Sequence, residues 1–237
     1  MAELVDAPGL GPGASRRTGS SPAVPICFIG DLHGRLEVLS KIIKDAKRRG
    51  SYHFVLIGDI LHHKRYFRRS KNLHPVYVLK EVKALQEAGK ITVVMGNNES
   101  YILSSISKPL KEIKSDSVKQ TVSSINKLKP DDRQSILNWI EGLPKHLEIS
   151  SSGKTYRAAH AYYPNSKFNT DSHILSGPDY AWFKKDNLSD HLDPDYQYIL
   201  GHYGYPYIRG NLRIIDATLF EGVGVYYTDR DEFMLYY

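Results

Sequence analysis

The residues best suited to metal chemistry stand directly after short apolar runs. The run at 26–29 leads to Asp31 and His33, and the run at 54–57 leads to Asp59. Such runs are typical of buried strands, and open α/β sheets bind ligands at the carboxyl ends of their strands. Because Asp31 and His33 are two residues apart at a strand end, their side chains can reach one metal ion.

The same arrangement recurs later in the chain. Segment 91–95 precedes Asn97, and two further apolar segments precede His160 and His202. Alone, either of these histidines would more often be structural, but together the strand ends supply a set that can hold two cations sharing one carboxylate. The candidate metal ligands are Asp31, His33, Asp59, Asn97, His160 and His202.

These motifs resemble the signature of the calcineurin-like metallophosphoesterases. The matching motifs are Gly30-Asp31-Leu32-His33-Gly34, Gly58-Asp59, Gly96-Asn97-x-Glu99, His160 and Gly201-His202. The resemblance runs from about residue 25 to the last residue. In size and motif order it is strongest to small phage and bacterial serine/threonine protein phosphatases and to diadenosine tetraphosphate hydrolases. It implies an α/β fold, with two mixed β-sheets packed as a sandwich flanked by helices and the metals at the sheets' carboxyl edge.

The resemblance also implies a role for each ligand and a reaction. It assigns Asp31 and His33 to the first metal, Asp59 to the bridge, and Asn97, His160 and His202 to the second metal. Carboxylate, amide and imidazole ligands together suit Mn²⁺, our expected metal, as well as Fe or Zn²⁺. Two cations about 3.5–4 Å apart activate a water and neutralise charge on the phosphoryl group under attack.

The chain departs from the family pattern around the expected proton donor. The family has a histidine that helps to protonate the leaving group where this chain has Asn98. An aspartate that supports that histidine and an arginine that grips phosphate are replaced by His62 and His63, and Lys64 follows in place of a glycine. A further expected arginine corresponds to Lys184. Lysine keeps the charge but loses the two-pronged grip of arginine.

Two explanations of these departures compete. The first is a loss of activity that leaves a metal-binding relic or a binding protein. The second is relocation, in which His62 donates the proton, Asn98 orients it, and His63 with the basic run that follows holds the phosphate. We favour relocation because no metal ligand is missing, and we expect His62→Ala to lower turnover without loss of metal. The predicted substrate-binding residues are His63, Lys64, Arg65 and Lys184.

Three functions follow from these alternatives. The first is a phosphatase that hydrolyses phosphomonoesters, with phosphoprotein as one candidate substrate. The second is hydrolysis of a phosphodiester or a dinucleoside polyphosphate, whose better leaving groups need less protonation. The third is a non-catalytic metal-binding module that holds phosphorylated or nucleic-acid partners.

Composition indicates the class of protein and its expected location in the cell. The 237 residues suffice for one domain with its own core, and 41% hydrophobic and 24% charged residues are typical of soluble globular proteins. No apolar run is as long as a membrane span. The only cysteine, Cys27, cannot form an intrachain disulfide, so we expect a cytoplasmic protein. The net charge of +6 favours anionic substrates.

The chain divides into a tail, 1–24, and one metallophosphoesterase domain, 25–237. The tail is rich in Gly, Pro, Ser and Ala and has no periodicity, so we expect it to be disordered. It resembles an in-frame translation of a leucine transfer-RNA gene, and we expect the natural start near residue 24.

Within the domain, the pattern predicts helices after Gly34, from Pro75 and over most of 100–142. In the last of these segments, Asp131-x-x-Gln134 resembles a capping box and predicts a helix start. Candidate strands that follow are 146–150, 154–160, 196–201, 213–217, 223–228 and 232–237.

Overall fold

The computed structural model describes residues 24–61, 74–164, 174–175 and 192–237. Nearly all of the predicted tail therefore lies outside the described residues. The same is true of five predicted site residues: His62, His63, Lys64, Arg65 and Lys184.

The described residues form strands that alternate with α-helices in the first part of the chain and predominate after residue 145. The strands are β1 (Ile26–Ile29), β2 (His53–Leu56), β3 (Ile91–Val93), β4 (His146–Ser151), β5 (Lys154–Ala159), β6 (Gln197–Leu200), β7 (Tyr207–Arg209), β8 (Leu212–Ile214), β9 (Val223–Tyr227) and β10 (Glu232–Tyr236). The α-helices are α1 (Leu36–Arg49), α2 (Pro75–Glu87), α3 (Asn97–Ser105), α4 (Asp116–Asn126) and α5 (Pro130–Glu141).

These strands build two mixed sheets, as predicted. The first has the order β10-β9-β1-β2-β3, and the second has the order β4-β5-β6-β8-β7. In the first sheet, β1, β2 and β3 run parallel while β9 pairs antiparallel with β1. The parallel pair β1–β2 follows from the chain itself, because the helix α1 between them returns the chain to the starting edge. In the second sheet, β5, β6 and β8 are parallel and the outer pairs are antiparallel.

The two faces of β1 explain why its sequence is apolar without interruption. Phe28 packs between the sheets, where its ring centroid lies 5.6 Å from that of Tyr156 on β5. Cys27 and Ile29 point to the opposite face, where they join the core formed with the helices. A strand that is covered on both faces reads as a continuous hydrophobic run. The predicted α/β sandwich is therefore confirmed.

Three details differ from the sequence predictions. Helix α5 begins at Pro130, and Lys129 at its N-cap makes no side-chain capping bond, so the predicted capping box at Asp131 does not form. Proline at the first helical position costs nothing because its missing N–H would have no helical partner. Helix α3 begins at Asn97 rather than near residue 100, and strand β7 was not predicted. Among the described helices, none has both the length and the apolar character needed to cross a bilayer.

Candidate metal centre

The predicted ligands meet where the carboxyl ends of the two sheets face each other. Asp31 and Asp59 follow the adjacent parallel strands β1 and β2, and His160 follows β5 in the other sheet. These three side chains offer ligand atoms that all lie within 4.8 Å of one another, and all three are buried. A cluster of this kind could hold a cation.

The other three predicted ligands adjoin this cluster. The Oδ1 atom of Asn97 lies 2.8 Å from Nε2 of His160 and 2.9 Å from Nδ1 of His202. Nε2 of His33 lies 3.8 Å from Oδ2 of Asp31. The structure thus brings together all six residues that the strand-end pattern selected.

The donor chemistry around His160 fits a bound cation. Its Nδ1 lies 2.9 Å from the carbonyl oxygen of Ile57, so Nδ1 carries the proton and donates it. Burial lowers the pKa of His160 to about 4, which keeps the ring neutral and leaves Nε2 with a lone pair. That lone pair faces the oxygens of Asn97 at 2.8 Å and Asp59 at 3.3 Å. Imidazole, amide and carboxylate groups that converge on one point in this way form an arrangement that a metal ion can satisfy.

The raised pKa values of two buried carboxylates also favour a bound cation. Burial, together with the nearby carboxylates of Asp216 and Asp59, raises the pKa of Asp31 well above its usual range. Burial raises the pKa of Asp59 to about 8, although the backbone N–H of Asn98 favours its charged form. Buried carboxylates this close resist ionisation unless cations stand beside them.

Three of the six residues have an unusual backbone. His33, Asp59 and His202 have φ angles of 47°, 44° and 71°, in the left-handed region that is costly for residues other than glycine. Backbone hydrogen bonds hold them there: the N–H of His33 donates to the carbonyl of Asp59 at 2.9 Å, and the N–H of His202 donates to the carboxylate of Asp31 at 3.2 Å. Strain of this kind clusters at functional sites.

Two glycines let the loops approach one another. A Cβ on Gly96 would lie 2.2 Å from the backbone nitrogen of Asp59, and a Cβ on Gly201 would lie 2.3 Å from Oδ1 of Asp31. Both distances are far below ordinary contact. Any larger residue at either position would push a candidate ligand out of place.

Glu99 ties two of the ligand-bearing loops together. It is completely buried, and its two carboxylate oxygens accept the backbone N–H of Gly96 and that of Ile60, both at 3.0 Å. Burial raises the pKa of Glu99 to about 8. By bridging the start of α3 to the loop after β2, Glu99 fixes the spacing between Asn97 and Asp59.

Asn98, which stands at the family's histidine position, contacts the candidate bridging ligand. Its side-chain Nδ2 donates to Oδ2 of Asp59 at 2.9 Å and to the carbonyl of Leu61 at 3.0 Å. Its backbone N–H donates to Oδ1 of Asp59 at 3.0 Å. Both Nδ2 protons are therefore engaged, one by Asp59 and the other by Leu61, and the Oδ1 atom of Asn98 remains available as an acceptor.

The sequence analysis missed one carboxylate of the site. Asp216 is buried, faces the same cavity as the candidate ligands, and accepts hydrogen bonds from the backbone of Gly204 and from both the N–H and the hydroxyl of Thr218. It follows the apolar end of β8, so the strand-end pattern that selected the other carboxylates could have found it. Because Asp216 holds the segment just after His202, it helps to position that ring.

The cluster opens into a cavity of about 850 Å³. Asp31, Asp59 and His202 stand at one end, and residues of α3, α4 and the segment between these helices form another wall. The volume is in the range of sites that bind small molecules and leaves room for more than a phosphate group.

Comparison with known proteins identifies the family. The family described as calcineurin-like phosphoesterase matches residues 24–230, so the chain belongs to the calcineurin-like phosphoesterases. No curated protein is significantly similar to the chain in sequence. The family match confirms the predicted family, whose members are typically hydrolases that bind divalent metals.

Solved structures with the same fold include three that cover most of the chain. A proposed diadenosine tetraphosphatase has a TM-score of 0.61 at 13% identity, covering 90% of this chain and 93% of its own. A metallophosphoesterase from Sphaerobacter thermophilus has a TM-score of 0.54 at 17% identity, covering 90% and 87%. A protein of Pyrococcus horikoshii has a TM-score of 0.55 at 14% identity, covering 90% and 86%. At these identities the similarity shows the fold alone.

Proposed function

We propose that this calcineurin-like phosphoesterase hydrolyses phosphomonoesters with two bound divalent metals. The observation that carries the proposal is the convergence of buried ligand groups around His160, because the oxygens of Asn97 and Asp59 both lie within 3.3 Å of its Nε2. The proposed ligands are Asp31, His33, Asp59, Asn97, His160 and His202. We propose Mn²⁺ as the metal, with Fe or Zn²⁺ as alternatives.

The protein's own groups prepare this site for the reaction. When bound, two such cations activate a water and offset charge on the phosphoryl group. The chain contributes orientation: Ile57 fixes the ring of His160, Leu61 accepts from Nδ1 of His33 at 3.0 Å, and Asn98 holds Asp59. A ligand oriented by a second hydrogen bond binds its metal more tightly than a free side chain does.

We assign proton donation to His62, oriented by Asn98. The contacts of Asn98 support this assignment, because its Nδ2 protons are taken by Asp59 and Leu61 while its Oδ1 is left to accept from a neighbouring imidazole. The unperturbed pKa of histidine, about 6.5, suits donation to a leaving group near neutral pH. The proposed phosphate-binding residues are His63, Lys64, Arg65 and Lys184.

A second candidate function is hydrolysis of a phosphodiester or a dinucleoside polyphosphate. The cavity of about 850 Å³ favours it, since a phosphomonoester with a small leaving group would fill only part of that space. Both functions use the same metal centre and differ in what the remainder of the cavity holds.

We also propose that the phosphoesterase domain spans 25–237 and that residues 1–24 are not needed for its fold. The single, buried Cys27 is consistent with a reducing, cytoplasmic location. The proposed partners are phosphorylated substrates, either proteins or small molecules, and the net charge of +6 also allows binding of nucleic acid.

The test is hydrolysis of a chromogenic phosphomonoester and the matching diester by the full chain. Mn²⁺, Zn²⁺ or EDTA is added, and bound metal is measured in the same samples. Turnover that needs metal and is lost in EDTA is the expected result, and the ratio of the two rates separates the first function from the second. His62→Ala should lower turnover of the monoester while two metals stay bound. Two bound metals without turnover of either substrate would refute the proposal and favour a non-catalytic binding module.

A further inference from the structure

We propose that Lys108 and Lys114 form a second anion-binding subsite, which holds a phosphate on the leaving group of the substrate. The preferred substrate would then be a small molecule that carries at least two phosphates. This inference rests on the proposed function, because it assigns the part of the same cavity that lies away from the metal centre.

The first argument for this subsite is the position of the two lysines. Lys108 lies between α3 and the 3₁₀ turn Leu110–Glu112, and Lys114 lies just before α4. Both line the cavity that contains Asp31 and Asp59. The same cavity is therefore lined by the carboxylates of the candidate metal centre and by two lysines.

The second argument is that the two ammonium groups form no ion pair with the described residues. Lys80 and Lys154 pair with carboxylates at 3.0 Å and 3.6 Å. In the described part of the chain, neither Lys108 nor Lys114 makes an ion pair, although Glu112 lines the same cavity. Both lysines are exposed and keep their donors available for an anion.

The remaining lining offers hydroxyl groups and apolar surface for the rest of the leaving group. Ser105 and Ser117 line the cavity beside the lysines. Tyr203 and Leu219 line it as well, and Tyr101 contributes a ring that is 51% exposed. Polar donors near apolar walls are typical of sites that bind an organic phosphate.

The chemistry by which the leaving group departs agrees with a second phosphate-binding subsite. When water attacks the phosphorus at the metal centre, the bond from phosphorus to the leaving oxygen breaks and the leaving group keeps the electron pair. Where the leaving oxygen belongs to the second phosphate, as in a phosphoanhydride, the leaving group departs as an anion and needs little protonation. Asn98 has no acidic proton to give, so a phosphate leaving group suits the described part of the site.

The experiment measures binding rather than turnover. The probes are α,ω-alkane bisphosphonates with one to six methylene groups and the matching alkyl monophosphonates, titrated by calorimetry into the full chain loaded with Mn²⁺. We expect at least one bisphosphonate to bind tenfold or more tightly than its monophosphonate, which corresponds to about 1.4 kcal/mol. In Lys108→Ala/Lys114→Ala that advantage should fall at least fivefold.

A matched control removes the same charge nearby. Lys111 and Lys127 are exposed lysines of the same region that do not line the cavity, so Lys111→Ala/Lys127→Ala should keep the bisphosphonate advantage. The inference is overturned if no bisphosphonate binds more than twofold more tightly than its monophosphonate, or if the advantage survives in Lys108→Ala/Lys114→Ala. Because no hydrolysis is needed, this result is independent of whether the metal centre proves to be catalytic.

Discussion

Replacing Gly96 by alanine tests how closely the metal centre depends on the approach of two loops. The added Cβ would lie 2.2 Å from the backbone nitrogen of Asp59 and 2.5 Å from its Oδ1. Ordinary contacts between heavy atoms need about 3.5 Å, so one loop must move by about 1 Å. The backbone conformation of Gly96, with φ −96° and ψ 174°, is one that alanine adopts readily. The effect is therefore one of contact distance and not of backbone strain.

A shift of this size should affect catalysis more than stability. Overpacking of a dense interior costs about 1–3 kcal/mol in the free energy of unfolding, whereas a 1 Å displacement of a reacting group can cost about 100-fold in rate. We therefore expect Gly96→Ala to fold, to bind less metal and to lose about 100-fold in kcat/KM. Urea unfolding, metal analysis and the chromogenic hydrolysis assay measure the three quantities.

The control for Gly96→Ala is Gly142→Ala at the end of α5. A Cβ there would meet nothing closer than the carbonyl oxygen of Asn138 at 3.3 Å, so this variant should keep its metal and its turnover. If Gly96→Ala keeps both metals and a kcat/KM within twofold of the native protein, then the close packing of these loops does not set the ligand geometry, and the reasoning fails.

Three further predictions concern carboxylates. Asp59→Asn should lose bound metal and at least about 100-fold in turnover, because the bridging charge is gone; metal analysis beside the assay checks both, and full occupancy would count against the bridge. Above pH 8, where Glu99 is charged, Glu99→Gln replaces one acceptor by a donor that faces a backbone N–H, so urea unfolding there should show a loss of about 1–3 kcal/mol in the free energy of unfolding; an unchanged midpoint would contradict this. Hydrogen bonds from Tyr226 and Arg213 hold the pKa of Asp231 below its usual value. Asp231→Asn should therefore be less stable than the native protein at pH 7, by less than about 1 kcal/mol for this half-exposed group. That gap should close as the pH falls through the folded-state pKa. Melting curves at several pH values test it, and a constant difference would refute it.

The sequence predicted the parts of the fold that depend on local patterns. Uninterrupted apolar runs identified the buried strands, and the helix between β1 and β2 required that these strands be parallel. The N-cap of α5 was predicted two residues late, at Asp131 instead of Lys129, because a capping box and a proline at the first helical position compete for the same turn, and here Pro130 opens the helix. Strand β7 has only three residues and one buried face at most, so it left no pattern to detect.

The site was predictable where each residue follows its strand directly. The structure brings together all six predicted ligands, from Asp31 to His202, although whether they bind metal remains a prediction. The role of Asn98 was not predictable, because its two amide contacts join residues 37 and 39 positions away. Asp216 was missed although it follows the apolar end of β8 as the other carboxylates follow their strands. Contacts of this kind exist only once both sheets are packed.

The candidate metal centre combines structural features that would each be unfavourable elsewhere in the chain. Left-handed backbone at His33, Asp59 and His202, buried carboxylates whose pKa values are raised, and an imidazole lone pair facing oxygen atoms each oppose folding when taken alone. Local choices that conflict with the rest of a fold mark functional sites. A divalent cation would remove two of these three conflicts, because it compensates the buried charge and accepts the lone pairs. The free energy released there would offset the strained backbone, which holds the ligands in place before the metal arrives.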